Sequence, residues 1–301
     1  MNRRRKISVA RLSVSAGYRR KILGQHFLKS QLIADRIVDA LGPLERAHVL
    51  EIGPGRGVLS YRLAERAACF TAVEFDRDLA EALARKLKSR SAVSILHQDV
   101  LEFDIDTWAA ACSPLSPIVV GNIPYRITSE LLYKLLGRHR HLSLAVLMLQ
   151  EEVARKLTAP AGGKPYGMLS VMAGYCAVSE YLFLVGRENF HPQPRVDSAV
   201  VKLDFNTCTV PTAVDERLFE SLVRRLFRDR RKQVQKVLRT DPRFKLSARQ
   251  LQAVAAETGI DLSCRPEELS VEQFIALTAG LAGPGRQEKT TGSSSTKLFL
   301  V

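Results

Sequence analysis

The chain has 301 residues, 46% of them hydrophobic, enough to bury the core of one large domain or of one domain with a smaller companion. No apolar run approaches the ~20 residues of a membrane-spanning helix, so no membrane partner is expected. The formal charge of +14, from 45 Lys and Arg against 31 Asp and Glu, favours a polyanionic partner, and nucleic acid is the usual one. Cys69, Cys112, Cys176, Cys208 and Cys264 are scattered without Cys-x-x-Cys spacing. They read as free thiols in a reducing compartment, expected to be the cytoplasm, and they indicate no metal site.

Residues 1–29 carry nine Arg and Lys and no acid. A disordered basic tail that touches phosphates, a transit peptide and an inert terminus all fit that composition. The first reading is preferred, because the acid-free stretch continues into the structured-looking Gly24-Gln25-His26-Phe27-Leu28. Residues 1–23 are therefore assigned as a basic extension. Ser30 caps a helix whose apolar residues Leu32, Ile33, Ile37, Val38 and Leu41 recur at helical spacing, with Gly42 past its end.

From His48 strands and helices alternate. Strands are predicted at His48–Ile52, Phe70–Phe75, Val93–His97, Ile118–Gly121 and Leu144–Leu149. Amphipathic helices are predicted at Val58–Arg66, Arg77–Ser89, Thr107–Ala111 and Ser129–Leu136. This is an α/β pattern with a parallel sheet, and ligands should sit at the carboxyl ends of its strands. Residues 159–165 read as a mobile loop, and late strands near Tyr181–Val185 and Ala199–Phe205 should finish the sheet with one antiparallel hairpin. This first domain spans 24–206. Beyond a linker at 207–212 the pattern is helical only, at Glu216–Phe227, Arg230–Leu238, Ala248–Glu257 and Val271–Ala279, a small all-α domain over 212–280. Residues 283–301 read as a disordered tail rich in Gly, Ser and Thr.

Three acids or loops fall at successive strand ends. Glu51-Ile52-Gly53-Pro54-Gly55-Arg56-Gly57 lets the backbone turn tightly against a ligand. A dinucleotide fingerprint would need glycine at position 58, which is Val58. The spacing instead looks like the S-adenosylmethionine loop of Rossmann-like methyltransferases. Glu74 ends the second strand and suits two ribose hydroxyls; Asp99 follows the third and suits an adenine amine. After the fourth comes Gly121-Asn122-Ile123-Pro124-Tyr125, where Asn122 and carbonyls around Pro124 can accept from an exocyclic amine and Tyr125 can stack on a base. The tetrapeptide alone fits equally a strand-ending turn with a core tyrosine.

The late motifs are more specific: Phe190-His191-Pro192-Gln193-Pro194-Arg195-Val196-Asp197-Ser198, Phe227-Arg228-Asp229-Arg230-Arg231-Lys232 and Arg265-Pro266-Glu267-Glu268-Leu269. With Gly24–Leu28, the glycine loop and Asn122–Tyr125, they resemble the small-subunit rRNA adenine dimethyltransferases of the KsgA type, from about Gly24 to Ala279 and in the family's order. The resemblance implies a Rossmann-like class I methyltransferase fold and methyl transfer from S-adenosylmethionine to N6 of two adjacent adenosines near the small-subunit rRNA 3′ end. The substrate would be the immature small subunit and the enzyme a monomer. By motif position, cofactor contacts fall to His26, Leu28, Gly53, Gly55, Glu74, Asp99 and Asn122. The catalytic group would be Asn122, Pro124 and Tyr125, with Phe190 as a second stacking ring. RNA phosphates would meet Arg228, Arg230, Arg231 and Lys232, although a charge run is usually a solvated helix face. His26 departs from the family, which commonly has Asn there, and could make cofactor binding pH-sensitive. Two rivals remain: an Erm-type large-subunit methylase, against which the Arg-rich and Arg-Pro-Glu-Glu-Leu segments argue, and a non-catalytic assembly factor that binds RNA.

Overall fold

The computed structural model describes residues 25–207 and 215–282. The basic extension, Gly24, most of the linker, Cys208 and the tail lie outside the described residues.

A seven-stranded sheet holds the chain together. Its strands are β2 (Ala47–Ile52), β3 (Cys69–Glu74), β4 (Val93–His97), β5 (Ser116–Asn122), β6 (Leu144–Gln150), β7 (Val178–Val185) and β9 (Ser198–Asp204), in the order β4-β3-β2-β5-β6-β9-β7. β2 through β6 run parallel, and β9 is antiparallel to both β6 and β7. A second, two-stranded ribbon pairs β1 (Phe27–Leu28) with β8 (Phe190–His191). Helices α1 (Gln31–Asp39), α2 (Ser60–Arg66), α3 (Arg77–Leu87), α4 (Ile105–Ala110), α5 (Thr128–Leu136), α6 (Glu151–Leu157) and α7 (Met168–Cys176) fill the connections. Several starts are set by a short acceptor side chain. Ser30 accepts from Ile33 N–H, Asp76 from Asp78 and Leu79 N–H, and Asp104 from Thr107 N–H. Each such cap contributes about 1 kcal/mol.

Both sheet faces are covered, so the central strands read as continuous apolar runs whose neighbours alternate between two cores. Val49, Val120 and Val146 pack with Ile37 and Val38 of α1, Leu63 of α2 and Leu83 of α3. Leu50, Val119 and Leu147 pack with Leu131 and Leu135 of α5. The second core continues without a break into the C-terminal helices α8 (Glu216–Arg228), α9 (Val234–Thr240), α10 (Ala248–Thr258) and α11 (Val271–Ala282), through Phe219, Leu222, Phe274 and Leu277. The helical region therefore shares a core with the sheet.

Two expectations are corrected here. The second C-terminal helix starts later than the expected Arg230: α8 ends at Arg228 and α9 begins only at Val234. The residues between form a turn in which Lys232 N–H donates to Asp229 O at 2.7 Å. Residues 159–165 are also tied down. Gly162 N–H donates to Glu267 O at 2.8 Å, and the Arg230 guanidinium reaches Lys164 O at 3.2 Å.

Candidate active site

The register of the sheet brings the expected site together. Ile52 lies beside Val73 on one neighbour and Gly121 on the other, so Gly53, Glu74 and Asn122 leave their strands at one level. Gln98 and Asp99 follow β4 beside them. Around these ends lies a cavity of about 380 Å³. His26, Leu28, Gly53, Gly55, Glu74, Asp99, Asn122, Pro124 and Tyr125 all line it.

The glycine loop is shaped by backbone and by Glu74. Gly55 has φ +56°, and a Cβ there would lie 2.9 Å from the Phe27 ring. Gly121 is closed to a side chain because a Cβ would lie 2.6 Å from Ile52 O. Glu74 Oε2 accepts from Gly55 N–H and Oε1 from Asp76 N–H, both at 2.9 Å. Burial pushes the Glu74 carboxyl up, while those two bonds pull it down. Glu51, also 2% exposed, accepts from Ser60 Oγ at 2.6 Å. Burial raises its pKa to about 8; the Ser60 bond opposes this and the nearby Glu74 charge adds to it.

At the other end, the Asn122 amide is oriented by the chain. Its Nδ2 donates to His26 O at 2.8 Å, which turns Oδ1 away as the unused acceptor. His26 Nδ1 lies 2.7 Å from Pro192 O and so must donate to it. With Lys29 N–H to Asn189 O and the β1–β8 pairing, these bonds strap residues 25–29 across the cavity. The Tyr125 hydroxyl lies 3.0 Å from Ser198 Oγ, and its ring centroid is 5.5 Å from that of His26. Pro124 O is occupied by Ile127 N–H at 3.1 Å and Thr128 Oγ1 at 3.2 Å.

Some expected residues sit elsewhere. Phe190 is 2% exposed, packed in the α1-side core opposite Leu28, and is not part of the cavity wall, so the stacking role is corrected to a structural one. Arg230 forms an ion pair with Glu267, and Lys232 one with Asp229 at 3.2 Å, whereas Arg228 and Arg231 are exposed. The cavity also contains residues given no role of their own from sequence: Gln25, whose Oε1 is buried without a partner among the described residues, Glu51, Arg56 and Phe75. Glu51 had a signal, an acid inside the apolar strand Val49–Ile52. Phe75 had one too, an aromatic residue directly after the strand-ending acid, here 54% exposed.

The chain matches known proteins over most of its length. The model of the family described as ribosomal RNA adenine dimethylase matches residues 18–282. The chain belongs to that family. The dimethylase is 41% identical over 258 residues to ribosomal RNA small subunit methyltransferase A of Alcanivorax borkumensis, covering 86% of this chain and 88% of that one. It is also 41% identical to the protein of the same name from Chlorobium phaeobacteroides, over 86% and 92%. Among solved structures, the 23S rRNA methyltransferase ErmE aligns with TM-score 0.66 and 28% identity, over 85% of this chain and 100% of that one. A dimethyladenosine transferase from Plasmodium falciparum aligns with TM-score 0.71 at 21% identity, over 85% and 98%, and shows the shared fold. The dimethylase is accordingly an S-adenosylmethionine-dependent rRNA adenine dimethyltransferase, and its Rossmann-like sheet is the one its spacing predicts.

Proposed function

We propose that this enzyme methylates N6 of two adjacent adenosines near the 3′ end of small-subunit (16S) rRNA, acting as a monomer in the cytoplasm on immature small subunits. The observation that carries the chemistry is the Asn122 amide, locked by His26 O so that Oδ1 is the free acceptor. Identity of 41% to small-subunit enzymes, against 28% to the 23S enzyme, favours the small-subunit substrate. The free thiols Cys69, Cys112 and Cys264 suit a reducing compartment.

The residues fit the cofactor. The cradle at Gly55 admits backbone approach where a Cβ would clash, Gln25 Oε1 is an acceptor awaiting a donor, and buried acids stand at the ends of β2 and β3. Glu74 takes the ribose hydroxyls with the lone pairs its two backbone bonds leave free. Asp99 accepts from the adenine amine, and Phe75 offers a flat apolar face. When bound, S-adenosylmethionine supplies a methyl group made electrophilic by its sulfonium sulfur.

The protein's task is to make adenine N6 a better nucleophile. Its lone pair is delocalised into the ring. Asn122 Oδ1 accepts one N6 hydrogen. Pro124 O is spent on the first turn of α5, so the second acceptor is the carbonyl of Ile123. Two acceptors on one side favour a pyramidal nitrogen with its lone pair aimed away from them. Tyr125, anchored by Ser198, stacks on the flipped base. Positioning and electrostatics do the work, and Asn122 acts as acceptor rather than base. Mass spectrometry of the small-subunit rRNA 3′ region, with and without the enzyme, tests the assignment. Two dimethylated adenosines that vanish without it are expected; a modified large-subunit adenosine would contradict it.

A further inference from the structure

Lys134 stands on α5, one turn and a half beyond Thr128 at the helix start and far along the chain from the cofactor loops. Its ammonium nonetheless donates to Val100 O at 3.0 Å, Leu101 O at 2.6 Å and Phe103 O at 2.7 Å. An ammonium has three hydrogens, and all three are used. The carbonyls belong to the turn that follows Asp99. In that turn Asp99 O accepts from Glu102 and Phe103 N–H, both at 3.0 Å, and Asp99 Oδ1 accepts from Leu101 N–H at 2.9 Å. Three carbonyls converging on one point repel one another unless a cation gathers them. The side chain is half-buried, so placing its charge there costs desolvation that those three bonds offset.

We infer that Lys134 is a positioning residue for cofactor selectivity: by gathering the carbonyls of Val100, Leu101 and Phe103 it fixes the turn from which Asp99 reads the adenine amine. This rests on the role proposed above for Asp99. The turn has Val100 in the cavity wall and Phe103 in the core, and the carbonyls of Val100, Leu101 and Phe103 meet the Lys134 ammonium. The same helix starts directly after Asn122–Tyr125, so one element sets the adenine end and the target-base end of the site.

The test is discrimination between S-adenosylhomocysteine and S-inosylhomocysteine, which replaces the amine with a carbonyl, measured by calorimetry beside a melting curve. Wild type should prefer the adenosyl ligand by at least about tenfold, since a carboxylate accepts from an amine and repels a carbonyl. Lys134→Met should lose most of that preference, Lys134→Gln, which keeps part of the donor set, should be intermediate, and Lys134→Arg should restore much of it. Asp99→Ala serves as reference. Loss of preference in Asp99→Ala with the full wild-type ratio in Lys134→Met and Lys134→Gln would overturn the inference. So would equal weakening of both ligands, the mark of a merely structural residue. An unchanged ratio in Asp99→Ala would remove the Asp99 role itself, and the inference with it.

Discussion

Glu51 and Glu74 show how single side chains set the chemistry of this cavity. Both are 2% exposed and close enough for the Glu74 charge to raise the Glu51 pKa. With its carboxyl raised from 4.5 to about 8, Glu51 binds a proton in the folded chain that it releases when unfolded near neutrality. Its stabilising contribution is thus complete at acid pH and is lost as pH rises through about 8. The cofactor-free enzyme should melt at progressively lower temperature from about pH 4.5 to about pH 8, a loss on the order of a few kcal/mol that levels off above that range, and Glu51→Gln should flatten that slope. Equal slopes in wild type and variant would show that Glu51 does not hold the proton. His26 gives a milder expectation. It holds Asn122 through its backbone carbonyl, and its Nδ1 donates to Pro192 O whether or not the ring is protonated. An asparagine Nδ2 falls at nearly the same place as a histidine Nδ1. His26→Asn should therefore keep single-turnover methylation within about threefold. A much larger loss in a folded His26→Asn variant would show that the imidazole ring itself takes part in the site.

At the scale of elements, strand ends were the legible part. Short apolar runs predict β2 through β6 within about two residues at each end, and the acids and glycines at their ends meet in space as expected. The ribbon of β1 and β8 was not legible, because two-residue strands carry no periodicity. For the same reason Phe190 reads as a candidate stacking ring until its burial is seen. Local charge density misleads more seriously in the stretch from Arg224 to Arg239. The sequence shows only a run of like charge; in the structure a turn divides it, and acids distant in sequence, Asp241 and Glu267, take up Arg225 and Arg230. This separates two variants that sequence would group together. Arg228→Glu with Arg231→Glu should weaken small-subunit rRNA binding and reduce the slope of log K against log salt by roughly 2, with melting unchanged. Arg230→Glu should instead lower the melting temperature, since it places a carboxylate against Glu267 and frees the 159–165 loop. Unchanged RNA binding and salt slope in the first variant would move the RNA footprint elsewhere.

For the molecule as a whole, one continuous core links the sheet to the C-terminal helices, so the cavity and the basic surface belong to one packed body. Sequence could not reveal this. The pattern change after residue 207 marks a change of class, and whether two classes share a core depends on contacts such as the stacking of Tyr175 on Phe219 that no local pattern encodes. What the whole fold accomplishes is the convergence of α5, the 25–29 strap and the end of β5 on one amide. Asn122 is the point where these meet, and the account stands on its Oδ1 accepting from adenine N6. The decisive measurement is single-turnover methyl transfer from labelled S-adenosylmethionine to immature small subunits by wild type and Asn122→Ala, with a melting curve and subunit affinity on the same samples. Asn122→Ala should fold and bind subunits nearly as well as wild type but transfer methyl roughly 100-fold more slowly or worse, because the lost interaction is strongest in the transition state. A folded, subunit-binding Asn122→Ala enzyme with near-wild-type transfer would contradict it.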